Sequence, residues 1–481
     1  MAKNKIQLSD HFTYPRLLRF VLPCIGTMLF TSIYGIVDGL CVSNFVGKTA
    51  FAAVNLIMPL PMLLGTIGFM LGTGGSAIVG ITLGEGDQKK ADRYFTMFLL
   101  AALVSVSVLA VLGIVFLRPI AVLLGAKGEL LDYAVRYGRI LMVSLPTFAL
   151  QNMFQSFFVT AEKPNLGFWF TVGAGCTNMV LDVVMVGLWG WGVEGAAIAT
   201  FISQLVGGVL PVFYFLNHNN SSRLHLCKTE FLGGVLRDAC INGSSELMTN
   251  LSMSLVNILY NYQLLRLAGE NGVAAYGVIM YAAFLFVAVY VGYAVGSAPI
   301  VSFHYGARNH AEVHNLYQKS LRLIAVVSVT MTLASMLIIP FVARVFVGYD
   351  PELLELTTRA FRLYALSFLI MGFNVYASSF FTALGDGVTS ALISFLRTLV
   401  FQIAAVLILP AVLDVDGIWL AVTFAELAAL AVSVTMFIRK DSVFHTTARP
   451  ESTPPLSAKQ QKAGAFFGHS GSAAMRGFVL E

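Results

Sequence analysis

Residues 52–83, AAVNLIMPLPMLLGTIGFMLGTGGSAIVGITL, hold no charged side chain over 32 positions. As a helix, about 20 of them suffice to cross roughly 30 Å of hydrocarbon. The run is continuous rather than alternating, which argues against the strands of a membrane barrel. Working outward, comparable runs cover most of the chain. In the first half they are Leu17 to Ser43, Ala52 to Leu83, Phe95 to Leu117, Leu131 to Val159, Leu166 to Leu188 and Val193 to Leu216. In the second they are Phe231 to Leu267, Val273 to Phe303, Leu321 to Val347, Phe361 to Leu384, Val388 to Leu413 and Ile418 to Ile438. The sequence therefore predicts an all-α polytopic membrane protein of about twelve transmembrane helices.

The quoted stretch and its flanks recur 222 residues later. Gly47, Ala52, Ala53, Met58, Gly74 and Gly84 fall on Gly269, Ala274, Ala275, Met280, Gly296 and Gly306; Ser156, Phe158, Thr160 and Ala161 fall on Ser378, Phe380, Thr382 and Ala383. An ungapped register of this length marks two copies of one six-helix unit. Six crossings return the chain to its starting side, so the copies share an orientation and form two pseudo-symmetric lobes. The expected substrate cavity lies between or within them. On this reading residues 1–16 are a cytoplasmic N-terminal segment, 17–216 the N-terminal lobe, 217–230 a cytoplasmic inter-lobe linker and 231–438 the C-terminal lobe. Residues 439–481, rich in Ser, Pro, Gly, Lys and Gln, read as a disordered cytoplasmic tail.

Composition agrees: 57% of the 481 residues are hydrophobic and 11% charged, against roughly 25% charged in a soluble domain. The net charge of +5 fits basic inner loops, whose Lys and Arg bias places both termini in the cytoplasm, with no nucleic-acid partner. The five cysteines show no metal-site or disulfide spacing. No His-Glu-x-x-His, nucleophile elbow or Ser or Cys with a His partner occurs at membrane depth, so the chain does not read as an enzyme. Pro23, Pro146, Pro299 and Pro340 are candidate kinks, and Gly72, Gly74 and Gly75 candidate close-packing positions.

Ionisable groups at membrane depth cost at least about 2.5 kcal/mol each, so each needs a partner or a role. Asp38, Asp182, Glu246, Arg397 and Glu426 are such groups. Asp38 lies 19 residues beyond Arg19, and Asp182 lies 19 beyond Lys163. Both therefore stand roughly 28 Å in from the same side. Asn178 precedes Asp182 by one helical turn, and Thr200 reaches a similar depth. Two carboxylates with an amide and a hydroxyl supply hard oxygen ligands for Na⁺, or a coupled pair in which one member carries a proton. Glu246, Arg397 and Glu426 fall near mid-depth in the second half and read equally as a structural ion-pair network or as a coupling or substrate site. Aromatic faces among the 37 Phe and flexible thioethers among the 18 Met suit flat cations.

The segments Tyr34 to Asp38, Gly47, Ala52-Ala53-Val54, Pro59, Gly72-Thr73-Gly74-Gly75-Ser76 and Leu83-Gly84-Glu85-Gly86-Asp87 resemble the multidrug and toxic compound extrusion (MATE) family. So do Thr160-Ala161-Glu162-Lys163-Pro164, Asn178 with Leu181-Asp182, and Gly192-Val193-Glu194-Gly195-Ala196-Ala197. The pattern is most similar to the DinF-like branch and its MepA-like bacterial multidrug exporters. The resemblance implies two six-helix lobes, alternating access and antiport of organic cations against H⁺ or Na⁺, with no other cofactor and function as a monomer. It implies that Asp38, Asn178, Asp182 and Thr200, with Tyr34 beside them, form the ion or proton site. Glu246 resembles a seventh-helix acid of the family, whereas Asn374 stands where some relatives carry an acid. A flippase or exporter for lipid-linked precursors or metabolites is the alternative in the same superfamily. Such anionic cargo wants several cavity cations, and only Arg397 is in view.

Overall fold

The protein's structure is a computed structural model that describes residues 6–46, 48–348 and 350–444. Every regular element among them is helical. The first half comprises α1 (Tyr14–Phe45), α2 (Lys48–Ile57), α3 (Pro59–Gly84), α4 (Gln88–Leu123), α5 (Glu129–Thr160), α6 (Pro164–Asp182) with a π-helical turn (Val183–Leu188), and α7 (Gly192–Leu216). The second comprises α8 (Gly233–Asn242), α9 (Ser244–Gly306), α10 (His310–Val347), α11 (Pro351–Ala365), α12 (Phe368–Ala383), α13 (Gly387–Phe395) with a π-helical turn (Leu396–Val400), α14 (Phe401–Ile408) and α15 (Pro410–Phe444).

Nine of the described helices are long and apolar enough to cross a membrane, or ten when α11 and α12 are joined across their 47° bend. The 63-residue α9 leaves helical geometry at Gly269, where φ is 62° and ψ −154°. At about 95 Å if straight, it must be two crossings. With the 32-residue α5, the chain makes twelve. Repeat-related α4 and α10 expose Val104, Val111 and Val115, and Val326, Leu333 and Leu337, as apolar outer stripes. Stripes of this kind suit lipid rather than water.

Where helices break differs from the sequence expectation. Pro23, Pro146, Pro299 and Pro340 all lie inside continuous helices. The breaks fall at Met58 before Pro59, at Gly243, at Gly269, between Ala365 and Phe368, and at Asp414. The repeat is legible in the turns: Asp87 caps α4 by accepting from the Lys90 N–H at 3.0 Å, and Asn309, 222 residues on, caps α10 by accepting from the Glu312 N–H at 3.1 Å. Gly86 and its counterpart Arg308 both adopt positive φ just before these caps. Residues 439–444, expected in the tail, continue α15; the rest of that tail, 445–481, lies outside the described residues.

Glycines join the halves at the face where α1 begins and α15 ends, here the terminal face. A Cβ at Gly84 would lie 2.0 Å from the Phe303 carbonyl oxygen, and one at Gly306 would lie 2.0 Å from that of Ile81. Ile81 and Phe303 are themselves repeat-related, so α3 and the second half of α9 cross reciprocally. On one flank Gly296 meets Val21 and Cys24; on the other Gly74 and Gly243 bring α3 against the junction of α8 and α9. Residues 6–13 strap this seam. The Leu8 N–H donates to Glu162 Oε1 at 2.9 Å in the first half, and the Phe12 N–H to Glu312 Oε1 at 2.8 Å in the second. His11 Nδ1 stands 2.6 Å from Glu312 Oε2, and the Asn315 and Lys319 side chains donate to the Phe12 carbonyl.

Candidate functional site

The first-half site forms where α1 and α6 run side by side in the same direction. Close approach is permitted by small residues on this contact: a Cβ at Gly26 would touch Phe168, and one at Gly175 would fall 2.5 Å from Phe30 and 3.0 Å from Tyr34. One turn above Tyr34 stands Asp38, and Asp182 stands two turns above Gly175. Their carboxyl groups face each other at hydrogen-bonding range. Asp182 is fully buried, and neither acid forms an ion pair among the described residues.

Unsatisfied oxygens occur on these two helices and on α7. Asp38 Oδ1, both carboxyl oxygens of Asp182, Asn178 Oδ1 and Thr200 Oγ1 are buried and lack hydrogen-bond partners among the described residues. Buried polar atoms are almost always partnered, so such a set calls for a ligand. Hard oxygens fit Na⁺, and two touching carboxyls equally fit a shared proton. Among the described residues no cluster of three or more His, Cys, Asp and Glu suits a metal ion. Asp182 is the last residue before the π-helical turn, a distortion often found at functional sites. Thr200 lies on α7 and lines a cavity of about 50 Å³ with Met58, Pro61, Leu141, Phe148 and Gln204.

Sequence reasoning missed three neighbours. Tyr137 of α5, 1% exposed, lies close enough to feel both Asp38 and Asp182, as does Cys41, one turn beyond Asp38 on α1. Gln204 shares the Thr200 cavity, and its Oε1 is also unsatisfied. Tyr137 sits between Arg136 and Arg139, a setting that reads as an interfacial end of a span rather than as a buried site.

A model of the MatE family, multidrug and toxic compound extrusion, matches the chain twice, over residues 23–184 and 247–408. The chain belongs to the MatE family. The two matches correspond to the two halves. Among its relatives, the multidrug export protein MepA of Staphylococcus aureus (strain MSSA476) is 21% identical over 430 residues, covering 89% of this chain and 94% of that protein. The MepA of Staphylococcus haemolyticus is likewise 21% identical, covering 88% and 93%. The solved outward-facing conformation of a multidrug resistance MATE family transporter of the MOP superfamily superposes with a TM-score of 0.86 at 23% identity, over 93% of this chain and all of that one. A Pyrococcus furiosus MOP superfamily transporter, described as having a binding pocket of reverse polarity, superposes at 0.85 with the same identity and coverage. The solved likenesses show the fold: twelve helices in two lobes. As a MatE chain the protein is a transporter, not an enzyme.

The MatE chain's second-half charges also meet. Glu426 on α15, 2% exposed, is held from behind: Asn374 Nδ2 donates to its Oε2 at 2.7 Å and to its carbonyl at 2.8 Å, and Ser433 Oγ donates to Asn374 Oδ1 at 3.0 Å. Arg397, in the π-helical turn between α13 and α14, places Nε 3.7 Å from Glu426 Oε1, and its charge also bears on Glu246 at the start of α9. Tyr364 of α11 lies near both Glu426 and Arg397. Asn374, a departure from the acid-bearing pattern, is thus the clamp on Glu426. No sequence signal pairs the two, because the contact depends on how α12 packs on α15.

Proposed function

We propose that this MatE chain is a secondary active multidrug exporter in a bacterial inner membrane. It exchanges cationic amphiphiles for H⁺ or Na⁺ by alternating access of its two lobes, works as a monomer, and has its terminal face and both termini in the cytoplasm. The observation that carries the reading is the Asp38–Asp182 contact. Two carboxylates at hydrogen-bonding range and away from bulk water repel unless a cation is shared between them. A proton or Na⁺ entering from outside fills that role, with Asn178, Thr200 and Tyr34 completing the polar shell.

Coupling requires that ion occupancy and drug occupancy differ in free energy between outward-facing and inward-facing states. Loading the dyad removes the repulsion between α1 and α6, so the two helices can repack and the site can pass its drug outward. MepA relatives are multidrug export proteins by name, which supports the substrate class. The experiment is extrusion of a fluorescent cation from proteoliposomes under imposed H⁺ or Na⁺ gradients. Wild type should extrude under one gradient, and Asp182→Asn should lose at least about 100-fold of that rate, in line with removal of an essential group. Gradient-driven export retained by both Asp38→Asn and Asp182→Asn sinks the assignment.

A further inference from the structure

A cavity of about 430 Å³ opens on the flank of the bundle, between the start of α1 and the start of α6, within the range of about 300–1,000 Å³ common to small-molecule sites. Leu18, Leu22, Pro23 and Phe168 form its apolar wall, and Arg19 and Asn165 are its polar side chains. No acid lines it among the described residues. Arg19 is exposed and has neither an ion pair nor a hydrogen bond among the described residues. Other basic side chains at this face are committed: Arg16 donates to the His11 carbonyl, Lys163 to Ser221 Oγ and Arg223 to Glu162 Oε1. The Arg19 guanidinium, with five N–H donors in a fixed fork, is left facing open space.

Height in the membrane says what this space meets. Arg19 is the sixth residue of α1 and Trp169 the sixth of α6, and the two helices leave the same face side by side. Trp169 is 65% exposed, and Leu22, one turn deeper than Arg19, is 57% exposed. Exposed apolar side chains here face lipid, and tryptophan gathers at headgroup level. From Pro15 to Gly26 the groove follows α1 for roughly 16 Å, about one leaflet of a hydrocarbon core near 30 Å thick. Its cationic end therefore lies at the interface and its apolar end in hydrocarbon.

We propose that this groove binds an anionic phospholipid of the leaflet at the terminal face. The Arg19 fork and the Asn165 amide take the phosphate, and one acyl chain lies along Leu22, Pro23 and Phe168. With no carboxylate in the lining, the ammonium of phosphatidylethanolamine would meet only the guanidinium, so the site selects a headgroup without an amine. The apolar wall selects a lipid over free phosphate. The lipid seats on α1 and α6, the two helices whose far ends bring Asp38 to Asp182. The inference stands on the membrane placement of these helices and not on the exporter reading.

The test is lipid binding to the full chain in detergent, counted by native mass spectrometry, with phosphatidylglycerol, phosphatidylethanolamine and chainless glycerol 3-phosphate as probes. Wild type should hold one phosphatidylglycerol at least about tenfold more tightly than phosphatidylethanolamine, and should not retain glycerol 3-phosphate. Arg19→Gln should bring the two lipids within about twofold of each other, and Arg19→Lys, which keeps the charge but not the fork, should retain part of the preference. Lys89→Gln removes an exposed charge from the same face but outside the groove. It should bind as wild type does, whereas diffuse attraction of a basic surface to anionic lipid would weaken alike in both variants. Equal affinity of wild type for the two lipids, the same loss in Lys89→Gln as in Arg19→Gln, or glycerol 3-phosphate held as tightly as the lipid overturns the site.

Discussion

The two lobes repeat one architecture and place opposite electrostatics in it. In the first lobe Asp38 meets Asp182 with no basic partner among the described residues. At the corresponding register the second lobe has Tyr260 in place of Asp38, with its hydroxyl donating to Gln402 Oε1 at 3.0 Å. Conversely, Glu426 and Asn374 of the second lobe fall on Gln204 and Asn152 of the first. Glu426 and Asn374 are bonded to each other, whereas Gln204 Oε1 and Asn152 Nδ2 have no partner among the described residues. One lobe is left in want of a cation; the other brings its own in Arg397. After duplication, a pseudo-symmetric frame can diverge in this way, with one half setting two acids against each other and the other balancing its acid with an internal base.

The sharpest way to break this comparison is to delete one acid from each lobe and read both transport and stability. Asp182→Asn should abolish gradient-driven export while its melting temperature in detergent holds or rises, because a repulsive contact has been removed. Glu426→Ala should instead lower stability by up to about 3–5 kcal/mol, since it strands a partly buried guanidinium. The Arg397→Met/Glu426→Met double variant should recover most of that loss. If Asp182→Asn destabilises as much as Glu426→Ala, the first-lobe acids are structural and the contrast collapses.

A second prediction concerns the seam. Gly84→Leu places a side chain where the Phe303 carbonyl stands 2.0 Å from the ideal Cβ, so the terminal face cannot close as described. Cysteine probes on that face should label several-fold faster, and export should fall with the fold retained. Gly234→Leu, on α8 with nothing within 4 Å of its Cβ, meets no such obstacle and should leave the labelling rate as in wild type. A smaller effect is expected from Tyr137→Phe, which keeps the packing and removes only the hydroxyl beside the dyad: a few-fold loss of coupled export and a melting temperature within a few degrees of wild type. The smallest is expected from Glu312→Gln, which weakens charge-assisted bonds worth about 1.5–3 kcal/mol; amide exchange at residues 8–12 should rise about tenfold.

How much of this was legible without coordinates follows from physical scale. Crossings and the 222-residue repeat come from long runs in which lipid dictates composition, so they read directly. Asp38 and Asp182 could be set at one height because each is counted from a basic residue on the same side, along helices of fixed rise. Tyr137 escaped because no depth count distinguishes a tyrosine that anchors at the interface from one that turns inward. The break between Ala365 and Phe368 escaped because no proline marks it, while Pro23, Pro146, Pro299 and Pro340 were accommodated within intact helices by their neighbours. The pairing of Asn374 with Glu426, 52 residues apart, depends on tertiary packing and carries no local pattern.

The strap over the seam has an evolutionary corollary. Besides the His11 ring, its anchoring donors toward Glu162 and Glu312 are the main-chain amides of Leu8 and Phe12. Substitution at those two positions by anything but proline leaves the donors in place. The acceptors are constrained as carboxylates, and the donor segment in backbone path and at Leu8 and Phe12, whose side chains are fully buried. Lineages can therefore rewrite the exposed positions of this stretch while inheriting the same fastening, so its persistence is better sought in the two glutamates and the two buried side chains than in the rest of the strap.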